Sequence, residues 1–181
     1  MEKIIKGKAY VLGDNIDTDQ IIPAKYLVYN LDDEEEAKLY GKYAMSGLPA
    51  EKTKDNEFIE EGKYESIFTF MIAGKNYGCG SSREHAPYAL MRAGIKAVIA
   101  QDYARIFYRN SVDSGFIAPL ETADRLCEEI KTGDELEVNT VEFTLKNITS
   151  GKEYQLKDLG DVKDIIEAGG LFNYAKKEGI I

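Results

Sequence analysis

The sequence predicts a mixed α/β domain organised around a parallel sheet, and three observations carry that prediction. Residues 66–100 run strand, glycine-rich loop, helix, strand, the unit that lays strands parallel. Both strands of the unit, residues 66–73 and 97–100, are almost wholly apolar, as strands covered on both faces are. The chain has 181 residues, which suits one domain that buries roughly 70% of the surface its unfolded form exposes.

In chain order, residues 3–12 read as a strand that ends at the turn cluster Gly13-Asp14-Asn15. Residues 15–23 read as a loop whose carboxylates, Asp17 and Asp19, need partners if they are covered. Residues 32–45 read as a helix started by Asp32 and Asp33, with Leu39, Tyr43 and Ala44 as an inner stripe. Glu34 and Lys38 support it in the favourable i, i+4 order, and Gly41 counts against it. The acidic run 32–36 reads as a solvated face, and residues 47–63 as a polar linker or flap. After the 66–73 strand, a helix carries Ala86, Ala89, Leu90 and Ala93 on one stripe and ends at Gly94. Pro87 falls in its first turn, where amides lack partners anyway. Beyond residue 100 we expect a helix over 103–112, a strand over 116–118 and a short amphipathic helix over 123–131 with Cys127 inward. A hairpin over 135–138 and 141–148, a further strand near Tyr154, and a helix over 161–168 stopped by Gly169-Gly170 complete the chain.

Composition narrows the function. Lys and Arg number 23 against 32 Asp and Glu, a formal net charge of −9, which argues against a nucleic-acid footprint. No apolar run reaches the roughly 18 residues of a membrane span, and the start lacks a signal-peptide core, so a cytoplasmic address is expected. Two cysteines, Cys79 and Cys127, and one histidine, His85, are too few for an iron–sulfur cluster and a poor disulfide framework. A zinc site would have to recruit carboxylates. Any metal or redox centre is therefore expected on another chain, or not at all.

The chemistry concentrates in Gly78-Cys79-Gly80-Ser81-Ser82-Arg83, where a strand hands over to a helix. Glycines let backbone approach a ligand, a helix start offers unpaired amides, and Arg83 adds a planar fork suited to a carboxylate or phosphate. The alternative is a plain tight turn with a serine cap. The loop lacks the Gly-Lys-Ser/Thr ending of a P-loop, the third glycine of a dinucleotide fingerprint and the Gly-x-Ser-x-Gly of a nucleophile elbow. Two serines and an arginine remain to hold a carboxylated substrate. A serine acting as a base would need amides aimed at its oxygen to stabilise the alkoxide.

Two stretches, Gly13-Asp14-Asn15-Ile16-Asp17-Thr18-Asp19-Gln20-Ile21-Ile22-Pro23 and Gly78-Cys79-Gly80-Ser81-Ser82-Arg83-Glu84-His85-Ala86, resemble the small subunits of 3-isopropylmalate dehydratases. These are swivelling domains of the aconitase superfamily. Tyr103-Ala104-Arg105-Ile106-Phe107-Tyr108-Arg109-Asn110, with Gly115 downstream, is a third match, and the three come in family order. The resemblance implies an α/β swivelling fold of the β/β/α type, one domain over residues 1–181, and a hydro-lyase active only with a large subunit. That partner would carry a [4Fe–4S] cluster on three cysteines, with one iron open to the substrate, together with the family's acid and base histidines. On this chain the resemblance makes Ser81 the base, gives Ser82 and Arg83 to a substrate carboxylate, and has Asp19 line the site. The substrate would be a small dicarboxylic acid, 2-isopropylmalate turning into 3-isopropylmalate on the way to leucine. Against the shortest relatives, residues 32–63 look like an insertion or flap.

Around that core, His85 reads as a hydrogen-bond partner of the site rather than a proton shuttle, and Cys79 as a small packing residue. Lys25-Tyr26-Leu27-Val28-Tyr29 is the expected specificity segment. Relatives that take an extra carboxylate, such as homoaconitase, carry arginine where Val28 falls, whereas valine suits a branched alkyl group. Alternatives are a homoaconitase subunit, a 2,3-dimethylmalate or methylcitrate-type hydro-lyase subunit, and an anion-binding module without catalysis. A stand-alone serine hydrolase would require His85 to face Ser81.

Overall fold

A computed structural model describes residues 2–53 and 56–181. The strands are β1 (Ile4–Val11), β2 (Phe68–Ile72), β3 (Ala97–Ala100), β4 (Ala118–Glu121), β5 (Glu135–Asn139), β6 (Thr144–Asn147) and β7 (Glu153–Gln155). They form one seven-stranded sheet in the order β4-β3-β2-β1-β5-β6-β7. The half from β4 to β1 is parallel, with Val11 opposite Ile72, Met71 opposite Val98 and Ile99 opposite Leu120. The half from β1 to β7 is antiparallel, with Ile5 opposite Val138. This is a mixed α/β arrangement, as the strand–loop–helix–strand unit predicts.

The apolar runs explain the middle of the sheet. Phe70 and Ile72 face one core while Met71 faces the other, and Ala97 and Ile99 alternate with Val98 and Ala100 in the same way. Phe70, Met71 and Ile72 are all fully buried, each contributing roughly 1.5–3 kcal/mol on transfer from water. Strand β4 closes the parallel edge and carries Pro119, which an edge position tolerates because no ladder amide is needed there.

The helices are α1 (Thr18–Ile21), α2 (Glu34–Lys42), α3 (Ala50–Thr53), α4 (His85–Arg92), α5 (Arg105–Ser114), α6 (Leu126–Glu129), α7 (Val162–Glu167) and α8 (Leu171–Lys177). None is long and apolar enough to cross a membrane. Several boundaries differ from the sequence reading. Helix α5 starts at Arg105, not residue 103, because Tyr103 is drawn into a strand-like bridge with Tyr77 and anchors its hydroxyl near the carbonyls of Val98 and Leu120. The expected 116–118 strand starts only at Ala118, the residue that registers opposite Ala97. Helix α6 is a single turn: Arg125, at φ −86° and ψ 68°, stands outside it as its N-cap, with its guanidinium committed to Asp14. Gly169-Gly170 ends α7 as expected but then turns the chain into α8, which the reading missed.

The stretch expected as a linker over 47–63 is packed where it is described; residues 54 and 55 lie outside the described residues. Leu48 and Phe58 are buried, and the Phe58 ring lies 5.1 Å edge-on to Tyr10. Two such residues ten positions apart in a polar stretch show no period, yet they pin the segment to the core.

Candidate functional site

The candidate site lies beyond the carboxyl ends of β1, β2 and β3, the end of a parallel sheet where loops converge on ligands. Three segments meet there. The segment after β1 is not a plain loop: Asp17 caps α1 through a reciprocal box, accepting from the Gln20 amide at 2.8 Å while Gln20 Oε1 accepts from the Asp17 amide at 3.0 Å. The signal was present in Asp17-Thr18-Asp19-Gln20, a cap residue followed three places on by a glutamine. The loop after β2 is laid against this turn. The Gly78 amide donates to the Ile16 carbonyl at 2.7 Å, the Thr18 amide to the Cys79 carbonyl at 2.8 Å, and Thr18 Oγ1 to the Ser81 carbonyl at 3.1 Å.

Gly78 has a positive φ of 75°, and a Cβ there would stand 2.2 Å from Cγ of Phe107 on α5. The loop can lie this close to the helix only without a side chain. Beneath it Tyr77 is fully buried, edge-on to Phe107, with burial pushing its phenol far up. Its hydroxyl is the one buried side-chain polar atom lacking a partner among the described residues.

Beyond Gly80 the loop is exposed. Ser81 and Ser82 face solvent, and the amides of Gly80, Ser81 and Ser82 donate no hydrogen bond within the described residues. Three free amides beside an exposed hydroxyl are what an oxyanion needs. Ser81 stands on the wall of a cleft of about 840 Å³ whose other walls include Tyr103, Arg105, Ile106, Arg109 and Glu121. Arg105 makes no ion pair among the described residues. The sequence reading assigned neither arginine a role, although both sit in the third matched motif one helical turn apart, the one signal that placed them on a shared face.

Arg83 is differently placed. Its Nη1 donates to Asp19 Oδ1 at 2.6 Å and to the Ile22 carbonyl at 3.0 Å, and its side chain is only 14% exposed. The family resemblance assigned Arg83 to a substrate carboxylate and Asp19 to the lining of the site; in the structure the two pair with each other, and the guanidinium serves the α1 turn. Val28 is 76% exposed, just past a short 3₁₀ turn at Ala24–Tyr26. His85 stacks on Tyr40, ring centroids 5.6 Å apart, and makes no side-chain hydrogen bond among the described residues.

A second carboxylate fastens the site from behind. Asp14 takes both Nη atoms of Arg125, at 3.0 and 3.1 Å, and the Lys75 amide at 2.8 Å. The Arg125 bond chiefly holds the Asp14 carboxyl below the usual carboxylate range, and the Arg83 bond does the same for Asp19. A carboxyl depressed by folding stabilises the native state above its unfolded pKa, and that contribution is lost as pH falls through the folded value. The urea midpoint is therefore expected to fall from about pH 4 downward. An Asp14→Asn/Asp19→Asn variant should lose less over that window; an unchanged acid limb would show the two pairs unlinked to stability.

The aconitase C-terminal domain model matches residues 9–125. The chain is 49% identical to 3-isopropylmalate dehydratase small subunit 1 of Arabidopsis thaliana, over 99% of this chain and 71% of that protein. It belongs to the 3-isopropylmalate dehydratase small-subunit family. Another member, the isopropylmalate/citramalate isomerase small subunit of Methanocaldococcus jannaschii, is 42% identical over 98% of this chain and 97% of that one. A crystal structure of 3-isopropylmalate dehydratase from the same organism superimposes with a TM-score of 0.78 at 38% identity, covering 98% of this chain and 96% of that one. The small-subunit family thus accounts for the sheet, the loops and their order along nearly the whole chain.

Proposed function

We propose that this chain, as the small subunit of a 3-isopropylmalate dehydratase, supplies the base half of an active site that a large subunit completes. The observation that carries this reading is the exposed Ser81 hydroxyl beside three unspent amides on an arginine-lined cleft. As an alkoxide, Ser81 takes the proton from the carbon next to the carbinol carbon. The C–H pair becomes the double bond as hydroxide leaves, and water returning at the neighbouring carbon gives the isomer. Ser82 and the loop amides hold a carboxylate. Arg83, braced by Asp19, fixes the loop or swings to the substrate. Arg105 and Arg109 supply the positive wall for the second carboxylate, since a dianion in a chain of net charge −9 needs local cations.

The family's [4Fe–4S] cluster belongs in this reading to the large subunit, where it supplies a Lewis acid for the leaving hydroxyl. This chain's thiols do not fit it. The two are free thiols, Cys79 half-buried in the loop and Cys127 packed on the second core, and burial raises both. Among the described residues no three ligating side chains converge. Val28 offers an alkyl contact and no cation, which favours isopropylmalate over the extra carboxylate of homoaconitate.

The test is anaerobic reconstitution. The chain alone should be inactive, and a cluster-loaded large subunit should restore turnover of 2-isopropylmalate; activity of the isolated chain would overturn the reading. In the complex, Arg105→Ala should raise KM about 10-fold or more, the scale of one charged hydrogen bond. An unchanged KM would remove Arg105 from the substrate wall.

A further inference from the structure

We infer that α2 and Tyr43, the residue that caps its C-terminus, form a specificity frame that sets where Val28 stands relative to the Ser81 loop. The inference rests on the reading of Val28 as a substrate contact and names the residues that position it. Val28 is bare, but its neighbours on both sides are fastened to one helix and the residue that follows it. The Tyr26 ring lies on the Tyr43 ring at 3.8 Å with the planes 5° apart. Tyr29 stacks on the same Tyr43 at 6.0 Å and 10°. The Tyr40 hydroxyl donates to the Tyr29 carbonyl at 3.0 Å, and the Asn30 amide donates to Glu36 Oε2 at 2.7 Å. Aromatic stacks of this kind are favourable beyond the area they bury and restrict ring orientation.

The frame is tied in turn to the helix that follows the catalytic loop. Tyr40 is fully buried, stacked on His85 and edge-on to Tyr88, both on α4. Gly41 lets the two helices touch: a Cβ there would stand 2.6 Å from the Arg92 carbonyl oxygen. The Glu34 carboxylate pairs with the Arg92 guanidinium across the same contact. A continuous packed path therefore runs from the Ser81 loop through α4 and α2 to the segment bearing Val28. A rigid path of this kind holds a selecting side chain at a constant distance from the base. The stretch that includes α2 reads in sequence as an insertion with a solvated acidic face. Its other face does the positioning.

The test uses the reconstituted two-subunit complex, with 2-isopropylmalate and with citramalate, whose methyl group cannot reach as far. Tyr43→Ala should raise KM for 2-isopropylmalate about 5- to 10-fold, leave kcat within about 2-fold, and change citramalate far less. Tyr43→Phe should restore the parent values, because the ring and not the hydroxyl makes the stack. Glu36→Ala, at an exposed position that threatens no core, should move KM in the same direction. Val28→Ala calibrates the reading underneath. If Val28→Ala raises KM and both Tyr43→Ala and Glu36→Ala leave it flat, the frame is overturned. If Val28→Ala is itself flat, the substrate contact fails first. Equal losses of kcat for both substrates in Tyr43→Ala, unrescued by Tyr43→Phe, would mark a general packing defect and overturn the frame as well.

Discussion

Ser81→Ala is expected to abolish turnover of the reconstituted complex, by about 10²–10⁴-fold or more in kcat, while leaving subunit assembly and the urea midpoint unchanged. The two halves of that expectation have separate causes. The hydroxyl is exposed and donates no hydrogen bond within the described residues, so its loss removes no internal contact. What holds the loop is the Ser81 carbonyl, which accepts from Thr18 and from the Arg83 amide, and alanine keeps that carbonyl. The effect should fall on kcat, because a proton-transfer group acts in the transition state more than in binding. Full activity in this variant would remove the proposed base, and the remaining loop residues would then be binding groups only. Loss of assembly together with activity would instead mark Ser81 as an interface residue.

The second large effect is structural. Gly78→Ala should lower stability by about 2–4 kcal/mol, from left-handed backbone cost plus forced repacking around the ring. The added methyl would arrive 2.2 Å from Phe107, and both the fully buried ring and the backbone under it are pinned. Gly80→Ala is the control two residues on. Its φ is 92°, but the nearest heavy atoms lie 3.5 Å away, so only the backbone cost of about 1–2 kcal/mol remains. Urea denaturation of both variants separates the effects, and equal losses would mean that Phe107 yields. Activity should follow the same order, because displacing Gly78 from Phe107 moves the loop that carries Ser81.

What could be read before folding was whatever depends on neighbours along the chain. Burial of residues 66–73 and 97–100, the turn at Gly13-Asp14-Asn15 and the helix carrying Ala86, Ala89 and Leu90 all follow from local period and turn chemistry. Even the missed helix α1 had its signal in the Asp17–Gln20 box. Errors gathered where a distant partner intervened. Tyr103 left its helix to bridge Tyr77, Arg125 stands outside α6 with its guanidinium on Asp14, and Leu48 and Phe58 pin a polar segment to the core. Gly41 looked like a weak point in a helix, yet it is the residue that lets α2 and α4 touch.

By itself, then, the sequence determined the local conformations, the buried strands and a family's worth of motifs in order, because backbone preference and apolar spacing are encoded between near neighbours. Only the tertiary structure decided that Arg83 turns to Asp19, that Arg105 and Arg109 share a cleft with Ser81, and that Tyr43 lies between Tyr26 and Tyr29. Those pairings depend on strand order and helix packing, which bring together side chains whose spacing along the chain carries no period.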